Sequence, residues 1–148
     1  DGQLVIAGMK SDLIALEQTF KEKGAKRALL LNMSVASHCP LLESAQEPLS
    51  VLMKSMVQEN FEAPIVSNVT TKPYNTKDEA VTLLKEQLIK PVKYKQSIEI
   101  ISNEIDLAIE FGNGTVLKGL NKRIAKDLLT VNISDMLSLE NLQEVLNN

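Results

Sequence analysis

"DLAIEFGNGTVLKGLNKRIAKDLLTVNI", residues 106–133, carries the fold class of this chain. "DLAIEF" (106–111) is a short apolar run that reads as a strand. "GNGTVLKGLNKRIAK" (112–126) turns through Gly112 and Gly114 into a helix, because glycine accepts the positive φ such a turn needs. "LLTVNI" (128–133) reads as a second strand. A strand, a helix and a strand in succession imply an α/β fold with some parallel pairing.

The rest of the chain repeats that alternation. "QLVIAG" (3–8) is an apolar run closed by glycine, hence a strand. Ser11 can cap a helix through "DLIALEQTFKEKG" (12–24), with Leu13, Leu16 and Phe20 on one face and Gly24 as its stop. "KRALLLNM" (26–33) reads as the next strand and "SVASHCP" (34–40) as a loop. "PLLESAQEPLSVLMKSM" (40–56) is helical in pattern, with Leu42, Ala45, Leu49, Leu52 and Met56 recurring. Pro40 suits its first turn, whereas Pro48 is expected to kink or break it. "APIVSNV" (63–69) is a strand and "TTKPYNTKD" (70–78) a polar loop. Thr76 or Asp78 can cap a helix through "AVTLLKEQLI" (80–89), which Pro91 ends. Further helices are expected around "YKQSIEIIS" (94–102) and over "SLENLQEVL" (138–146), the latter capped by Ser138. The sequence opens with neither an initiator Met nor a signal peptide and enters a strand-like run at once, so it reads as starting inside a fold.

Composition narrows the function classes. The 148 residues are 44% hydrophobic and 24% charged, the balance of one globular domain or of a piece of a larger one. Aromatic residues are 3% and Trp is absent, so the core must be aliphatic and stacking platforms for single-stranded nucleic acid are lacking. The net charge of −3 provides no basic field for nucleic acid or an anionic membrane, and runs as short as "RALLLNM" do not span a bilayer. A single cysteine permits no internal disulfide, which fits a reducing compartment, and a cytoplasmic location is expected.

"SVASHCP" holds the only histidine and the only cysteine, His38 and Cys39. Neighbours on an extended segment point to opposite sides, which argues against a Cys–His pair. One of each is too few for a zinc site, so no metal is expected. "GNGTVLKG" (112–119) lacks the Gly-Lys-Ser/Thr end of a phosphate loop, and its third glycine comes too late for a dinucleotide fingerprint. "KEKGAKR" (21–27) gathers Lys21, Lys23, Lys26 and Arg27, either as a solvated helix end or as a landing site for a phosphate or an acidic partner. No GxSxG nucleophile elbow occurs in these residues, so the sequence offers no obvious nucleophile for His38 to activate.

Taken in order, "GQLVIAG" (2–8), "GAKRALLLNMSVASHCPLL" (24–42), "EQLIKPVKY" (86–94) and "IEFGNGTVLKGLNKRI" (109–124) resemble the C-terminal half of malonyl-CoA:acyl carrier protein transacylases. The resemblance runs nearly the whole length. It is most specific in the SVxSH, QLxxPV and GxGxVLxGLxKRI segments. It implies that residues 1–33 are part of a ferredoxin-like small subdomain and residues 34–148 the C-terminal part of a large α/β-hydrolase-like acyltransferase subdomain. His38 falls at the catalytic histidine, oriented by a backbone carbonyl at Gln87, so that His38 should lie in a cleft with a ring nitrogen near that oxygen. Gln3 falls beside the thioester pocket. Lys26 and Arg27 fall at the basic pair facing coenzyme A phosphates and the acidic carrier protein. Val35 to His38 occupy the place where related polyketide acyltransferases tune extender-unit choice.

The implied chemistry is malonyl transfer in fatty-acid synthesis, from coenzyme A to acyl carrier protein, by way of a serine acyl-enzyme. An imidazole takes the serine proton and returns it. Coenzyme A enters as a thioester substrate, and no cofactor is expected. The implied partners are malonyl-CoA, acyl carrier protein and the N-terminal half of the same fold. Asp1 and Asn113 stand where the family often has Pro, which bears on loop rigidity more than on chemistry. The family's serine elbow, oxyanion loop and malonate-binding arginine lie upstream of the matched region. Arg27 and Arg123 fall at other family positions. The chain alone is therefore expected to be inactive. The rival expectation is a non-catalytic α/β binding or scaffold domain that keeps the fold.

Overall fold

A computed structural model describes residues 4–147. It is mixed α/β, and the chain divides into two compact units, one ending at Lys93 and the other starting at Tyr94. Among the described residues no helix is long and apolar enough to cross a membrane.

The first unit opens with helix α1, Lys10–Glu22. Met9, not Ser11, stands at its N-cap, without a side-chain cap bond, because the helix begins one residue before the serine. At the other end Gly24 has φ +92°. Its N–H donates to Lys21 O at 3.1 Å and that of Ala25 to Phe20 O at 2.9 Å. That pair of bonds is a Schellman stop, and it requires the left-handed backbone glycine supplies. None of α1 is buried.

Neither "QLVIAG" nor "KRALLLNM" forms a strand over its described residues, 4–8 and 26–33, while Gln3 lies outside them. Strands exist only where a neighbour accepts their backbone bonds, and no described segment pairs with these two. Their side chains are correspondingly bare, with Leu4 93% and Met33 69% exposed.

A single 3₁₀ turn at Pro40–Leu42 leads into α2, Glu43–Met56. Pro48 lies inside α2 and does not end it. Strands β1, Asn60–Val66, and β2, Pro73–Thr76, form an antiparallel hairpin with Ile65 opposite Tyr74 and Val66 opposite Pro73. The polar loop expected over 70–78 thus contains a strand, whose buried Tyr74 packs edge-on against Phe61 at 6.3 Å between ring centroids. Helix α3, Lys77–Gln87, packs on β2 and on α2, where Met53, Ala80 and Val81 are buried. Lys85 reaches Glu47 across that contact at 2.8 Å, and its hydrogen bond and charge hold the Glu47 carboxyl below the ordinary range.

Thr76 caps α3, its Oγ1 accepting from the N–H of Glu79 at 3.4 Å while its hydroxyl donates to the Glu79 carboxylate at 2.7 Å. Thr76→Ala should lower stability by about 1 kcal/mol, the usual cost of losing such a cap. A urea midpoint that does not move would show that this cap contributes nothing.

The second unit holds α4, Tyr94–Ile101, β3, Leu107–Phe111, α5, Val116–Ile124, β4, Leu129–Ile133, and α6, Met136–Asn147. Strands β3 and β4 are parallel, with Leu107 opposite Leu129 through to Phe111 opposite Ile133. A crossover helix between parallel strands is what residues 106–133 predict. The buried Asn121 ties three elements together, accepting from the Tyr94 hydroxyl at 2.7 Å and donating to Thr130 Oγ1 at 3.2 Å. Ile98, Leu128 and Leu142 are buried in the same unit. Asp135, not Ser138, caps α6: its Oδ1 accepts from the N–H of Ser138 at 2.8 Å, and Ser138 Oγ accepts from the N–H of Asp135 at 3.0 Å. Those bonds hold the Asp135 carboxyl below its ordinary value. Parallel sheets are normally covered on both faces, yet Phe111 is 75% exposed and Leu129 51%.

Candidate active site

His38 sits in the loop between α1 and α2 with φ +63°, a left-handed conformation that costs a non-glycine residue about 1 kcal/mol. Two hydrogen bonds hold it there. Its backbone N–H donates to Leu88 O at 2.9 Å. Its ring Nδ1 lies 2.8 Å from Gln87 O. A carbonyl can only accept, so Nδ1 carries a proton, and in the neutral ring the lone pair is on Nε2. The neutral imidazole is thereby held in the tautomer that could act as a base at Nε2, and the partner of its Nδ1 is a carbonyl, not a carboxylate.

The supporting carbonyls come from the C-terminal end of α3. Helix α3 ends at Gln87, with Leu88 as its C-cap still in helical dihedrals, and the last carbonyls of a helix have no partner within it. His38 takes up two of them. Asn68, in the turn after β1, lies on the same segment: its Nδ2 is 3.4 Å from Gln87 Oε1, and its backbone carbonyl accepts from the N–H of Lys93 at 2.9 Å.

Cys39 follows His38 but faces inward, 9% exposed, its thiol 3.3 Å from Ala36 O. His38 itself is exposed. Lys26 and Arg27 are exposed just after the Gly24 stop and form no ion pair among the described residues. The structure therefore brings His38 and Gln87 together. It gives no position for Gln3, which lies outside the described residues.

The glycine turn before α5 is closed to phosphate. The Glu110 carboxylate accepts from the N–H groups of Leu117 and Lys118, both at 2.9 Å, and so fills the helix N-terminus that an anion would use. Asn132, its register partner on β4, donates from Nδ2 to the carbonyls of Gly112 at 3.0 Å and Gly114 at 2.7 Å. With Gly112 at φ +115° and Gly114 at +109°, the segment is a stapled strand-to-helix turn.

Sequence reasoning missed Asn68, Leu88, Glu110 and Asn132. Leu88 acts through its backbone, which leaves no trace in side-chain type. The Ser-Asn pair at 67–68 is the one available signal, since both residue types organise turns.

No family model matches the chain. A malonyl CoA-acyl carrier protein transacylase from Haemophilus influenzae is 37% identical over 146 residues, 98% of this chain and 47% of the relative. One from Bacillus subtilis is 34% identical over 140 residues, 94% of this chain and 44% of the relative. The crystal structure of the transacylase from Helicobacter pylori superposes with a TM-score of 0.91 at 42% identity, covering 95% of this chain and 45% of that one. A malonyl-transacylase solved in complex with a type II PKS acyl-carrier protein gives 0.87 at 34% identity, again covering 95% and 45%. The chain spans about half the length of the curated relatives it matches. In sequence and in fold it corresponds to the C-terminal half of the malonyl-CoA:acyl carrier protein transacylase family.

Proposed function

We propose that this chain supplies the general base of an acyltransferase that moves malonyl from coenzyme A to acyl carrier protein in fatty-acid synthesis. The observation that carries the reading is the His38 Nδ1 contact to Gln87 O at 2.8 Å, in a chain matched to transacylases along its length. In the full-length enzyme a serine supplied by the other half of the fold attacks the malonyl thioester. Its proton passes to Nε2 of His38 as the Ser–O–C bond forms. The tetrahedral intermediate collapses, and the thiolate of coenzyme A leaves with that proton. In the second half-reaction Nε2 takes the proton of the carrier protein's thiol, which attacks the acyl-serine, and returns it to the serine. The Gln87 carbonyl fixes the tautomer and accepts from the imidazolium, without a carboxylate's extra charge in a site that must bind malonate.

Residues 1–33 belong, in this reading, to the small ferredoxin-like subdomain and residues 34–148 to the large one. The bare apolar side chains, from Leu4 to Phe111, are surface that the other half covers. The family likeness assigns Gln3 to the thioester pocket, and in this reading Lys26 with Arg27 meets the phosphates of coenzyme A and the acidic carrier.

The test is transfer of labelled malonyl from coenzyme A to acyl carrier protein by the full-length protein. A protein that binds carrier yet transfers nothing would overturn the reading. Charge reversal at Lys26 and Arg27 in that protein should raise KM for carrier protein severalfold, and the difference should shrink at high salt, because exposed charges are screened over about 10 Å at 0.1 M. Equal KM values in parent and variant at both salt concentrations would reduce the pair to a solvated surface.

A further inference from the structure

The carbonyls that hold His38 are themselves held from behind. Residues 88–93 form a short connector from the end of α3 at Gln87 to α4, with no regular structure of its own after the first turn. Asn68 grips it at both ends, donating from Nδ2 to Gln87 Oε1 at 3.4 Å and accepting from the Lys93 N–H at 2.9 Å.

The turn that presents Asn68 is rigid. Ser67 is buried, and its Oγ accepts from the N–H groups of Val69 at 3.1 Å and Thr70 at 3.3 Å. Its backbone N–H donates to Lys72 O at 3.0 Å, and its carbonyl accepts from the N–H of Thr71 at 2.8 Å. Thr71 completes the reversal at φ +65°. Val69 and Tyr74 are buried beside it, and the β1–β2 hairpin closes behind.

We propose that Asn68 is a positioning residue for the catalytic base, acting on His38 through Gln87; the inference rests on the acyl-transfer reading. Gln87 offers its backbone oxygen to the imidazole and its side-chain oxygen to Asn68. Holding the Gln87 side chain and the Lys93 N–H restrains the segment that carries the carbonyl selecting the Nδ1–H tautomer. Without that grip the segment can shift the carbonyl away from Nδ1, and the ring can then carry its proton on Nε2, which leaves no base at that position. The Asn68–Gln87 bond is long, so its share of the rate is modest.

The test uses the full-length protein labelled with ¹⁵N-histidine, the His38 signals being assigned by their loss in His38→Ala. The parent should show the Nδ1–H tautomer. Asn68→Ala should show a mixture of tautomers and a kcat lower by about three- to tenfold, the rate equivalent of one neutral hydrogen bond, with KM unchanged. Gln87→Ala keeps the carbonyl and cuts the same bond from the other side. It should reproduce both effects, which keeps the test decisive if Asn68→Ala does not fold. The double variant should be no worse than either single one, since both remove one interaction. An imidazole signal unmoved by either substitution would overturn the inference, even where kcat falls. If His38→Ala retains full turnover, the acyl-transfer reading fails by itself, and the tautomer ratio still decides whether Asn68 positions the ring.

Discussion

Incubated with labelled malonyl-CoA and acyl carrier protein, the 148-residue chain by itself should yield no acyl-carrier above a no-protein control. Acyl transfer through a covalent intermediate needs a nucleophile, a base and an oxyanion site together. On the proposed reading the chain provides His38 as base, and it has no GxSxG serine in its sequence. The remaining nucleophile of note, Cys39, is 9% exposed and its thiol is turned to Ala36 O rather than to the imidazole. Even an adventitious acyl-cysteine would lack the oxyanion donors, whose loss costs about 10²–10³ in rate. Mass analysis should find the chain unmodified, or modified only in a form that Cys39→Ser abolishes. Turnover that survives Cys39→Ser would mean that this half carries a complete active site of its own.

His38→Ala in the full-length protein should slow malonyl transfer by about 10²–10⁴, the scale of a lost general acid–base group. The deficit should fall on kcat, since the imidazole acts on the proton in flight and not on the bound thioester. The fold should survive. The side chain is exposed, and alanine removes one ring-to-carbonyl bond while leaving the backbone bond to Leu88. Steady-state rates with acyl carrier protein check this, and a variant that turns over like the parent would remove His38 from the mechanism.

Local chemistry was legible in the sequence wherever one residue type decides a conformation. Gly24 stops α1, Thr76 starts α3, and the paired glycines of residues 112–115 turn β3 into α5. The strand–helix–strand reading of residues 106–133 holds because its two strands pair with each other. The same apolar pattern misled at residues 4–8 and 26–33. Periodicity reports what a segment can bury, not whether a partner is present to receive its backbone bonds. Strand β2 escaped notice because Pro73–Thr76 is short and polar, with only Tyr74 buried. Asp135 and Ser138 cap reciprocally, and the pattern read from Ser138 alone misplaced the start of α6.

The candidate site was legible only in part, and for a physical reason. A histidine is visible in a sequence, whereas a backbone carbonyl 49 residues away is not. The Gln87 carbonyl came from a family likeness, and no property of glutamine as a side chain points to it. The left-handed turn at His38 left no mark either, because the two carbonyls that stabilise it belong to another element. Asn68, proposed here to position that carbonyl, becomes visible only once the turn after β1 is seen against Gln87 and the residues that follow it.

The decisive measurement is rapid-quench kinetics of both half-reactions in the full-length protein, with and without His38. One rate constant follows serine acylation by malonyl-CoA, and the other follows deacylation by acyl carrier protein. A base held at Nε2 by the Gln87 carbonyl must handle the proton in each direction, so His38→Ala should depress both rate constants by about 10²–10⁴. Acylation at the parental rate in His38→Ala would contradict the role assigned to this histidine, and with it the reading of the chain as the half that carries the base.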